Sequence, residues 1–64
     1  MKIINYSNSY INMWVGENGL FTIKERHGIY TAFKGSSLNV CFLIGSGYSL
    51  ENAVELATEK LNLK

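Results

Sequence analysis

Two short turn signals, Glu17-Asn18-Gly19 and Arg26-His27-Gly28, constrain this chain more than any other feature. Each lies between strand-like runs and ends in the glycine that a three-residue hairpin loop wants at its left-handed position. Read as three-residue loops, they define a three-stranded meander over residues 10–16, 20–25 and 29–34. The first loop places Val15 opposite Phe21, Met13 opposite Ile23 and Ile11 opposite Glu25. The second adds Ile29, Thr31 and Phe33 to that apolar face. The other face then carries Tyr10, Asn12, Trp14, Leu20, Thr22, Lys24, Tyr30, Ala32 and Lys34. A two-residue Asn18-Gly19 loop would instead set Val15 opposite Thr22 and Met13 opposite Lys24, mixing apolar and polar groups on each face. A one-residue slip moves every side chain across the sheet, so the segregated register is the expected one.

The flanks complete a small sheet-and-helix unit. Met1 to Tyr6 has the pattern of a short strand, broken by Ser7, Asn8 and Ser9. Gly35-Ser36-Ser37 reads as a loop, and Val40 to Ile44 as a fourth strand, apolar on both faces. Gly45-Ser46-Gly47-Tyr48 leads to Ser49, a good helix N-cap, with Glu51 in the first turn where a carboxylate suits the helix dipole. The helix is expected from Leu50 to about Leu61. Leu50, Ala53, Val54, Ala57 and Leu61 form its apolar stripe, which should cover the Ile11, Met13, Val15, Phe21, Ile23 and Phe33 face. The fold class is therefore α+β, an antiparallel three- to four-stranded β-meander with one C-terminal helix packed on one face.

With 64 residues, one small domain spanning 1–64 is expected. A chain of this size buries only ~60% of its unfolded surface, so it needs a compact core, a dimer or a partner. A single cysteine forms no internal disulfide, and Cys41 with His27 makes no structural metal cluster. Neither a metal nor another cofactor is expected. An apolar fraction of 47% suits folding, and a net charge of +1 directs no strong field at nucleic acid or membrane. The longest apolar run, Val40 to Ile44, is far too short to span a bilayer. Lys2 is followed at once by polar Asn5, Ser7, Asn8 and Ser9, without the pattern of a signal peptide. The expectation is a cytoplasmic protein with a reduced thiol.

The chemistry-bearing residues point to binding rather than catalysis. The chain has no aspartate and shows no paired-carboxylate or nucleophile–base spacing, so an enzyme is not expected. His27 falls at a turn tip, and Cys41 in a strand, where it is expected in the core. Gly45-Ser46-Gly47-Tyr48-Ser49 opens a helix but lacks the Walker lysine and the dinucleotide fingerprint, so turn geometry and capping explain it. The expected open sheet face interleaves aromatic and basic groups: Tyr10, Asn12, Trp14, Lys24, Tyr30 and Lys34. Such a face suits a protein interface. Base stacking ranks behind it, because nucleic acid needs several phosphate-neutralising charges and this face offers Lys24, Lys34 and Arg26. A homodimer that buries the same aromatic face is a third reading. Glu51, Glu55 and Glu59 line one side of the helix, an acidic stripe suited to solvent or to a basic partner.

Two family resemblances extend this. Gly45, Gly47, Ser49, Ala53 and Ala57 resemble the end of a double-stranded-RNA-binding domain. Leu50 and Glu51 stand where that family has phosphate-binding lysines, so the resemblance is one of packing. Met1, Lys2, Ile4, Tyr6, Tyr10, Asn12, Val15, Glu17, Asn18 and Gly19 are similar to the opening of a small phage-encoded type I-F anti-CRISPR family. At Gly16 that family has another aromatic. The resemblance implies an antiparallel sheet with helices on one side. It also implies a protein that covers the backbone subunits of a crRNA-guided surveillance complex so that target DNA cannot pair, and by position it adds Tyr6 to the contacts. The expected partner-binding set is thus Tyr6, Tyr10, Asn12, Trp14, Lys24, Tyr30 and Lys34.

Overall fold

The computed structural model describes residues 2–35 and 42–62. Five strands and one helix follow in order: β1 (Ile3–Asn5), β2 (Asn12–Gly16), β3 (Phe21–Arg26), β4 (Ile29–Lys34), β5 (Phe42–Gly47) and α1 (Leu50–Lys60). The strands form one antiparallel sheet in the order β1-β2-β3-β4-β5, each paired with its neighbour in sequence. The α+β expectation holds, with the short N-terminal strand and the later apolar run both joined to the central meander.

The registers differ from expectation by one residue at both hairpins. Val15 lies opposite Thr22, Trp14 opposite Ile23 and Met13 opposite Lys24. Arg26 pairs with Ile29, leaving His27-Gly28 as a two-residue turn. His27 at φ 54° and Gly28 at φ 81° are both left-handed, the signature of a type I′ turn, whose twist matches that of the flanking strands. At the first hairpin, Glu17–Gly19 form a single 3-10 turn with Asn18 at φ 60°, and Leu20 joins the connection. The turn sites were legible; their lengths were not.

The consequence is an exchange of faces. β3 keeps Phe21 and Ile23 in the core, but β2 and β4 turn over relative to it. Trp14, Tyr30 and Ala32 join the helix-covered side, while Met13, Val15, Thr31 and Phe33 move to the other side. Burying Trp14 instead of Met13 places the larger apolar surface against the core. Gly16 permits this arrangement, because a Cβ there would lie 2.5 Å from Cε2 of the Phe21 ring.

The core is Phe21, Ile23, Ala32, Ala53 and Ala57, flanked by Ile3, Trp14, Tyr30, Ile44, Leu50, Val54 and Leu61. The helix begins as expected: Ser49 Oγ accepts from the Asn52 amide at 3.1 Å. Ala53 and Ala57 are its buried residues, and their small side chains let α1 lie close on the sheet. β5 starts at Phe42 and runs on through Gly45-Ser46-Gly47, expected as a loop. Those glycines lie under the helix: a Cβ on Gly47 would meet Asn52 Cβ at 2.6 Å, and one on Gly45 would meet Leu56 Cδ1 at 3.5 Å. The reading of Cys41 as a core residue and of Ser36-Ser37 as loop lies outside the described residues.

Two substitutions test this packing by urea titration. Gly16→Ala should destabilise by about 1–3 kcal/mol, as overpacking against a buried ring does. Trp14→Ala should cost about 2 kcal/mol, below the range for a fully buried tryptophan because the ring is half-buried. An unchanged midpoint for Trp14→Ala would return the indole to solvent.

Candidate functional site

α1 lies on one side of the sheet, and among the described residues no second α-helix lies over the other. Period-2 alternation brings Met13 and Val15 from β2, Thr22 and Lys24 from β3, and Thr31 and Phe33 from β4 to this other side. Ile4, opposite Val15, extends it across β1, and Leu43, opposite Phe33, extends it onto β5. The Tyr6 amide donates to the Met13 carbonyl at 2.8 Å, so the pairing continues one residue beyond β1 and sets Tyr6 beside Met13. Ile4 is 47% exposed, Tyr6 52% and Leu43 65%. These exposed groups lie at the two edges of the sheet, while Met13, Val15, Lys24, Thr31 and Phe33 between them are half-buried. Exposed apolar groups that rim a sheet face are candidates for contact with a partner.

Lys24 stands within this surface with its Nζ 5.7 Å from the centre of the Phe33 ring. That is cation–π range, so the ammonium is held over the ring at the centre of the face. Thr22 is fully buried, and its hydroxyl donates to the Gly35 carbonyl at 2.7 Å, which satisfies it. The Gly35 amide in turn donates to Leu20, tying the end of β4 to the first hairpin.

One end of the face deepens into a groove of about 540 Å³ lined by Tyr10, Ile11, Lys24, Glu25, Arg26, Thr31 and Phe33. Tyr10 is almost wholly exposed, on a loop fixed by its own side chains. Asn8 Oδ1 accepts from the Tyr10 and Ile11 amides at 2.8 and 3.0 Å, an Asx turn. Ser7 Oγ accepts from the Met13 amide at 3.0 Å and anchors the loop to β2.

The expected contact set therefore divides. Tyr6, Tyr10 and Lys24 lie on or beside the open face. Asn12, Trp14, Tyr30 and Lys34 do not, because β2 and β4 are turned over. Trp14 and Tyr30 stack on the helix side with ring centres 5.6 Å apart and planes tilted by 37°. Asn12 Nδ2 donates to Glu25 Oε1 at 2.7 Å, and Lys34 ends β4 opposite Phe21. Ile4, Met13, Phe33 and Leu43 were missed on this face, while Arg26, named with Lys24 among its expected charges, lines the groove. A two-residue His27-Gly28 turn, read as such, would have found Phe33.

Glu25 locks the second hairpin. Besides Asn12, it receives the Gly28 amide on Oε2 at 2.8 Å. The Asn12 side chain, the Gly28 amide and the charge of His27, in that order, hold its carboxyl below the usual carboxylate range. Glu51, Glu55 and Glu59 are all exposed on α1, as is His27 at its turn tip. Among the described residues no group of three or more His, Cys, Asp or Glu is arranged to hold a metal ion. No helix there is long and apolar enough to cross a membrane. Comparison with protein-family models, curated proteins and solved structures finds no match to this chain.

The pH dependence follows from the depressed carboxyl of Glu25. Its contribution to stability is present above the unfolded carboxylate value and is lost as pH falls through the lower folded value. Glu25→Gln should lower the urea midpoint at neutral pH, and the gap from wild type should close on acidification. A constant gap down to about pH 3 would remove ionised Glu25 from the account.

Proposed function

We propose that this protein is a small, non-catalytic inhibitor that occludes a larger host assembly, in the manner implied by its resemblance to a phage-encoded type I-F anti-CRISPR family. In this reading it comes from a phage or other mobile element and acts in the host cytoplasm. It covers the surface on which a crRNA-guided complex receives DNA. The observation that carries the reading is the open sheet face, with exposed Ile4, Tyr6 and Leu43 at its edges and a ring-supported Lys24 between them. Exposed apolar groups spread across a sheet with a charge among them suit a protein surface.

A second reading has its own observation. The groove that Tyr10 lines brings two cations, Lys24 and Arg26, and one carboxylate, Glu25, together with two rings, Tyr10 and Phe33. Rings and cations so arranged favour a single-stranded nucleic acid.

One experiment separates the two. Purified type I-F surveillance complex is mixed with the protein, and its binding to target DNA is followed by gel shift. Occlusion predicts that wild type blocks the shift and that the Ile4→Glu/Leu43→Glu double variant, altered at exposed positions only, does not. The protein alone should not bind oligonucleotide. Direct binding that weakens steeply with salt would favour the nucleic-acid reading. An unimpeded shift at large excess of wild type would sink the choice of target.

A further inference from the structure

The free edge of β5 offers a second surface, which adjoins the open face at Leu43. β5 is the last strand of the sheet, so among the described residues its outer amides and carbonyls have no strand partner. Phe42 and Leu43 at its start are each 65% exposed, and Tyr48 just past its end is 85% exposed. Edges of this kind are normally blunted by prolines, bulges or short length, because an open edge accepts another strand. A bulge interrupts the pairing with β4 near Ala32 and Phe33, but six residues of β5 remain extended.

The two sides of this edge differ in chemistry. On the helix side, a groove of about 450 Å³ is lined by Gly47, Tyr48, Asn52, Glu55, Leu56 and Glu59. On the open-face side, a smaller groove is lined by Ile29, Ser46, Gly47 and Tyr48, with Leu43 further along the strand. α1 runs antiparallel to β5, since Asn52 lies over Gly47 and Leu56 over Gly45. Four residues of helix rise about 6 Å, and two residues of strand about 6.6 Å. Glu55 and Glu59 are therefore spaced like successive same-side residues of a strand laid along β5.

We propose that β5 accepts an extended segment of a partner as a sixth strand, and that this segment alternates basic with apolar residues. Its basic side chains lie toward Glu55 and Glu59, and its apolar ones toward Leu43 and Ile29. Backbone pairing supplies affinity and the alternation supplies specificity. A second copy of this chain does not fit, because two-fold pairing of β5 edges would set Glu55 and Glu59 against their own equivalents. The proposal shares Leu43 with the open face, but it rests on the backbone edge of β5 and on Glu55 and Glu59, which the occlusion reading does not use.

The test uses synthetic peptides of about eight residues, long enough to span β5. One alternates valine with lysine; the control alternates valine with glutamate. The Val-Lys peptide should bind wild type by calorimetry and slow amide exchange at residues 42–47. Charge reversal at the exposed pair, Glu55→Lys with Glu59→Lys, should weaken it about tenfold, as should a rise to about 0.5 M salt. A dispersed amide spectrum of the variant verifies its fold. Equal binding of the Val-Glu peptide, protection confined to another strand, no binding at all, or a β5-paired homodimer in sedimentation would each overturn the proposal.

Discussion

The close seating of α1 on the sheet, alanine against alanine, is the contact on which the rest depends. Ala32, Ala53 and Ala57 share the core with only two large residues, Phe21 and Ile23. Small groups on facing elements let backbones approach, so the helix covers β3, β4 and β5 at short range. Once it is there, every other assignment follows. The face beneath it must present Ile23 and Ala32, Trp14 and Tyr30 complete that layer beside the helix, and the opposite face is left to Met13, Val15, Lys24 and Phe33. The open face is the remainder after the helix has taken its side.

How much of this could be read from the residues depends on how many answers each pattern allowed. The helix was legible because its signals agreed: Ser49 as cap, Glu51 in the first turn, and an apolar stripe at helical spacing. The turn sites were legible because glycine marks them. Register was not, because β2 and β4 carry apolar residues on both faces. Met13 and Val15 compete with Trp14, and Phe33 competes with Tyr30 and Ala32. Alternation decides a register only when one face is plainly polar. The deciding facts are a histidine at positive φ and a 3-10 turn at Glu17–Gly19, neither of which composition announces.

The same ambiguity governs the candidate site. Choosing the face chose the residues, so the aromatic-basic set divided when the register moved by one. Tyr6, Tyr10 and Lys24 stayed outside because loop position or strand parity on β3 did not change. The glycines of β5 were misread for a different reason. Gly45 and Gly47 look like loop residues, yet they serve as floor beneath α1, and at Gly47 Asn52 comes too near for a larger side chain.

The meander topology also bears on how the chain reaches this state. Each strand pairs with its neighbour in sequence, so the sheet can grow hairpin by hairpin. The helix comes last along the chain. During synthesis the five strands can pair before α1 has emerged, and in that interval Trp14, Phe21, Ile23 and Tyr30 have no cover. The sheet is then apolar on both sides, and the arrival of eleven helical residues leaves a two-faced, association-prone ribbon with a single uncovered face.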